Sequence, residues 1–121
     1  VNTILSQIKN NPIDYLAEIK KCEIIVQKKD NVHIGVVVPV RGRVNFLPTL
    51  LDTLQNTRQN CVVDITIVED SSTPEHKPTC SRYGVNYIWR PNGGVFNKCL
   101  AFNLGVFLGN KSKWLICHDL D

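Results

Sequence analysis

The chain closes on Trp114-Leu-Ile-Cys-His-Asp-Leu-Asp121, an apolar run that ends in two carboxylates, Asp119 and Asp121. Alternate residues of a strand share a face, so strand geometry through this stretch makes an acidic pair at a strand tip. Hard divalent cations such as Mn²⁺ and Mg²⁺ take carboxylate oxygens and share themselves with substrate phosphates. Two guanidiniums, Arg41 and Arg43, follow another apolar run and suit a phosphate or the carbonyl of a base. Glu69 and Asp70 end a third run, and Asn92-Gly93-Gly94 follows a fourth. Other eye-catching residues read as structural. Strand parity turns His118 away from the acidic pair, Trp89 and Trp114 read as core, and Cys117 reads as a small hydrophobe.

The elements that must position these groups follow from periodicity. Ile34-Gly-Val-Val-Val-Pro-Val40 is β-branched and apolar throughout, as in a central parallel strand, with Pro39 near its end. Asn45 can cap a helix bearing Leu47, Leu50, Leu51 and Leu54 at i, i+3, i+4 and i+7, with Pro48 in its first turn. Val62 to Val68 is a second strand, and residues 71–83 form a loop with at most one short helix. Val85 to Arg90 is a third strand. Phe96, Leu100, Leu104, Phe107 and Leu108 give a helix with an apolar face. The closing run is the last strand, apolar on both faces as if buried from both sides. Upstream, Ile4, Leu5 and Ile8 fit a short helix, Asn11-Pro12 opens a second one carrying Ile13, Leu16 and Ile19, and Cys22 to Gln27 fits an edge strand. The β-α-β-β-α-β alternation predicts an α/β fold, three-layer and Rossmann-like, around a mostly parallel sheet. Residues 1–33 form an N-terminal extension and residues 34–121 the domain proper. In such sheets ligands bind beyond the carboxyl ends of the strands, where all the candidate groups fall.

With 121 residues the chain supports one modest core. A net charge of +3 is too slight to argue for nucleic acid, and no apolar run approaches a membrane span. The five cysteines show no C-x-x-C pair, which disfavours a zinc ribbon or a dense disulfide scaffold. Five reduced, mostly buried thiols are expected. The odd count and the lack of a visible signal favour the cytoplasm; the secretory lumen is the alternative if an N-terminal anchor was removed. The first residue is Val1, and the chain is expected to be a piece of a longer one, cut at the acidic pair.

Four motifs, in order, carry a family resemblance. They are Val36-Val-Val-Pro-Val-Arg-Gly-Arg43, Ile67-Val-Glu-Asp-Ser-Ser72, Phe96-Asn-Lys-Cys-Leu-Ala-Phe-Asn-Leu-Gly105 and Asp119-Leu-Asp121. Together they resemble the nucleotide-sugar half of a GT-A fold glycosyltransferase. The second motif is similar to inverting family 2 enzymes, the first and third to β-1,4-galactosyltransferases. The resemblance implies a UDP-sugar donor, an acceptor of unknown class (glycan, protein or small molecule) and a Mn²⁺ or Mg²⁺ cofactor. It places Pro39, Arg41 and Arg43 against uridine and diphosphate, and Asp70 on the uracil N–H, so that Asp70→Ala weakens UDP binding and spares the fold. It puts Lys98 near the diphosphate, with Phe102 standing where many relatives keep an arginine. Asp121 ligates the metal, and Asp119 lies nearer the ribose and a metal-bound water. The base of an inverting transfer is expected beyond Asp121. The rival readings are a nucleotidyltransferase and a nucleotide-binding domain without turnover.

Overall fold

The computed structural model describes residues 13–57 and 60–120. The expected helix at Ile4, Leu5 and Ile8 and the Asn11-Pro12 start lie outside them. The element order is α1 (Tyr15–Lys21), β1 (Glu23–Ile25), β2 (Val32–Val40), α2 (Leu47–Thr57), β3 (Val63–Ser71), α3 (Lys77–Tyr83), β4 (Asn86–Pro91), α4 (Lys98–Leu108) and β5 (Ser112–Cys117). The strands form one sheet in the order β1-β4-β3-β2-β5. β2 pairs in parallel with both β3 and β5, β3 pairs in parallel with β4, and β1 runs antiparallel along β4. This is an α/β fold with a mostly parallel sheet and helices on both faces.

The parity of β2 sorts the core into two halves. Val36, Val38 and Val40 face Leu47 and Leu51 of α2, Ile65 and Ile67 of β3, Cys80 of α3 and Tyr87 of β4. Val37 faces the other way, with Val68, Ile88 and the α4 residues Leu100, Ala101 and Leu104. Leu47, Leu51 and Leu104 are wholly buried, each stabilising the fold by about 2–3 kcal/mol. Helix α4 lies very close to the sheet at Gly105. A Cβ there would stand 2.4 Å from Val37 Cγ1 and 2.9 Å from Val68 Cγ2.

Helix α1 starts later than Asn11-Pro12 predicts. Its N-cap is Asp14, which accepts from the Ala17 N–H at 3.1 Å. The expected Ile13 and Leu16 stripe is exposed, and Tyr15, Ile19 and Cys22 pack on the core instead. Polar anchors select that face. Glu18 accepts from Arg90 Nε at 2.8 Å, Asn103 Nδ2 donates to the Tyr15 hydroxyl at 2.9 Å, and Tyr15 stacks on Phe107.

The closing strand also departs from expectation. Among the described residues β5 forms the sheet edge beside β2, and Trp114, Leu115 and Ile116 are all exposed, Trp114 at 72%. Apolar residues on both faces do not distinguish a strand covered on two sides from an uncovered one. Trp89 is part-buried and donates from Nε1 to the Ser71 carbonyl at 3.1 Å. All five thiols are free, but Cys80 alone is buried, and Cys61, Cys99 and Cys117 are exposed. Among the described residues no helix is long and apolar enough to cross a membrane.

Candidate functional site

The parallel strands bring the loops after β2, β3, β4 and β5 to one edge of the sheet. From β2 the chain moves to β3 and β4, then crosses back to place β5 on the other side of β2. That reversal beside β2 is a topological switch point, where open α/β sheets form their crevice. A cavity of about 280 Å³ lies there. It is lined by Pro39 and Val40 at the end of β2, Arg41 and Arg43 in the next loop, Phe96 and Lys98 at the start of α4, and Asp119 and Leu120 after β5. Five residues singled out from the sequence, Pro39, Arg41, Arg43, Lys98 and Asp119, thus surround one space.

The cavity is basic. Arg41 is half-buried, but its Nη1 is buried without a hydrogen-bond partner, and a buried donor left unmet is costly until an acceptor arrives. The loop that carries it turns through two successive left-handed residues, Gly42 at φ 64° and Arg43 at φ 54°. Glycine adopts this region freely, whereas for arginine it is strained. The Arg43 guanidinium lies over the Phe46 ring, 6.0 Å from its centroid. Lys98 opens α4, whose first turn is capped by the Asn97 side chain accepting from the Leu100 N–H at 3.0 Å. The positive end of that helix therefore faces the same space.

Lys98 Nζ pairs with the Asp119 carboxylate across the cavity, both side chains being half exposed or more. The hydrogen bond from Lys98 holds the Asp119 carboxyl below its usual range, and the same bond holds the Lys98 ammonium above its own. Exposed pairs of this kind contribute little stability, so each partner can be exchanged for a ligand at low cost. Asp119 is a hard oxygen donor of the type that Mn²⁺ and Mg²⁺ take. Asp121 lies outside the described residues, and among those described no three of His, Cys, Asp and Glu gather around a metal position.

Asp70 is not among the residues lining the cavity. It is wholly buried and accepts from Arg90 Nη1 at 2.6 Å, Asn92 Nδ2 at 3.1 Å and the Asn97 N–H at 2.7 Å. Those bonds tie the 92–97 loop, and hence the start of α4, to β3. Its neighbour Glu69 is equally buried. It accepts from the Tyr87 hydroxyl at 2.7 Å, the His76 N–H at 3.0 Å, the Glu75 N–H at 3.2 Å and Ser71 Oγ at 3.0 Å. Burial, and then Glu69 itself, push the Tyr87 hydroxyl far above its ordinary pKa. Phe102 packs against the α4 side of the core. His118 lines a neighbouring apolar cleft of about 480 Å³ with Phe46, Leu50 and Leu120.

Sequence reading missed the contributions of Phe96 and Leu120 to the cavity wall and of Arg90 and His76 to its support. Phe96 begins a recognisable motif, which was a usable signal for it. Nothing local marks Arg90 or His76, whose side-chain partners lie 20 or more residues away. The chain matched no protein-family model and no curated protein.

Proposed function

We propose that this chain carries the donor-nucleotide face of a metal-dependent glycosyltransferase using a UDP-sugar. The observation that supports it best is the cavity at the switch point. It has three cationic side chains, one carboxylate and a buried guanidinium donor, Arg41 Nη1, without a partner. A diphosphate supplies the charge and the acceptors such a wall lacks. In transfer, the bond from the anomeric carbon to the diphosphate oxygen breaks and the acceptor oxygen takes its place. Arg41, Arg43 and Lys98 stabilise the charge that develops on the departing diphosphate. A Mn²⁺ or Mg²⁺ ion, if bound, would supply Lewis-acid stabilisation of the same charge. Asp119 and Asp121 are the residues that would hold it, Asp119 exchanging Lys98 for the cation. Pro39 and Phe96 offer apolar surface to the uridine. The base of an inverting reaction is assigned to no residue here.

Calorimetry tests the reading. UDP should bind at least tenfold more tightly than uridine, and Mn²⁺ should bind more tightly when UDP is present, each helping the other by the same factor. Arg41→Met should lower UDP affinity by about 10- to 100-fold, as the loss of a charge-assisted hydrogen bond of about 1.5–3 kcal/mol predicts, and leave uridine unchanged. Equal affinity for UDP and uridine in the unmodified chain would overturn it.

A further inference from the structure

We propose that His76 is the positioning residue of the arginine loop, holding Gly42 and with it the guanidiniums of Arg41 and Arg43 in the pose that takes phosphate. His76 is wholly buried, 34 residues from Gly42 in sequence, and its Nε2 lies 2.6 Å from the Gly42 carbonyl oxygen. A carbonyl oxygen only accepts, so Nε2 carries the proton and donates. Nδ1 is buried without a hydrogen-bond partner, so the Gly42 carbonyl is the ring's one polar contact among the described residues.

Both ends of this contact explain why it matters. On the loop side, Gly42 and Arg43 are left-handed in succession, a conformation that persists in a non-glycine residue only when its surroundings over-determine it. On the histidine side, the backbone before α3 is fixed. The His76 and Glu75 N–H groups both donate to the Glu69 carboxylate, which Tyr87 of β4 also holds. A rigid path therefore runs from β4 through Glu69 and His76 to Gly42, the residue between the two arginines. His76 does not line the cavity, so it acts through the loop. Preorganisation of this kind raises affinity by sparing the ligand the ordering of its own site.

The inference rests on the reading of the cavity as a phosphate site, and its test separates the two. Glutamine can place an amide N–H near the position of histidine Nε2, whereas the shorter asparagine falls short of it. His76→Gln and His76→Asn both retain a polar group and need only be folded by circular dichroism to be compared. UDP affinity should stay within about threefold of the parent in His76→Gln and fall at least tenfold in His76→Asn, with uridine affinity equal in all three. Equal UDP affinity in the two variants, or a parallel loss for uridine, would overturn the assignment. If the parent chain does not bind UDP at all, the phosphate reading fails and ¹⁵N relaxation decides the holding role alone. Gly42 and Arg43 should gain fast motion in His76→Asn but not in His76→Gln, and unchanged relaxation in both variants would refute it. A ring spectrum of the parent with Nε2 unprotonated would refute it as well.

Discussion

Asp70→Ala should damage the fold before it damages a ligand site. The carboxylate is 0% exposed and accepts three hydrogen bonds, one of them from Arg90, whose side chain is 16% exposed. Removing one partner of a buried pair costs about 3–5 kcal/mol, because the other charge is left behind. Arg90 keeps Glu18 at 2.8 Å, so the lower end, about 3 kcal/mol, applies. The Asn97 N–H also loses its acceptor, adding about 1 kcal/mol. A loss of about 4 kcal/mol is a large share of the 5–15 kcal/mol that holds most domains together. With a urea slope of about 2 kcal/mol per molar, the midpoint should fall by about 2 M, read by circular dichroism. Asp70→Asn keeps one acceptor oxygen and should lose roughly half as much. An Asp70→Ala midpoint within about 0.5 M of the parent, together with a tenfold weaker affinity for UDP, would refute this reasoning. It would return Asp70 to the base edge of the nucleotide.

Gly105→Ala should lower the melting temperature by several degrees. The added methyl meets Val37 at 2.4 Å, and overpacking of about 1–3 kcal/mol outweighs the gain of about 1 kcal/mol in helix propensity; a rise in melting temperature would refute the close approach. Arg90 beside Glu18 holds its carboxyl below the ordinary value of 4.5. A depressed carboxyl contributes stability above that value and loses it as pH falls through its folded pKa. Glu18→Gln should therefore flatten the decline of melting temperature below about pH 4.5 without changing the profile from pH 6 to 8, and an identical acid slope in the variant would count against the pair.

Much of the architecture was legible in the sequence. Val36 to Val40, Ile65 to Val68 and the Leu47-Leu50-Leu51-Leu54 stripe each carry a period that matches the element observed. Alternation of such elements places loops on one edge, which is why Arg41, Arg43, Lys98 and Asp119 met around one cavity. Strand order is not written in any period. Nothing in Trp114 to Cys117 distinguishes an edge strand from a central one, so the exposure of β5 was not readable. The setting of Asp70 was equally hidden. A carboxylate at a strand end has the same local sequence whether it meets a ligand or Arg90, Asn92 and Asn97, and only the folded chain brings those three to it.

The two walls of the cavity are built to unequal standards. The basic wall follows β2, a strand flanked by β3 and β5, and is tied down through Gly42. The acidic wall follows β5, whose described pairing is a single ladder to β2, continued by the His118 N–H to the Val37 carbonyl at 3.0 Å. Local opening free energies track such differences in burial and bonding, so amide protons from Trp114 to His118 should exchange with solvent well before those of Val36, Val37 and Val38. If the site takes a diphosphate and a metal as proposed, it would have an order of assembly. An anion would find its half already formed, while a cation would have to trap a strand end that opens more readily than β2.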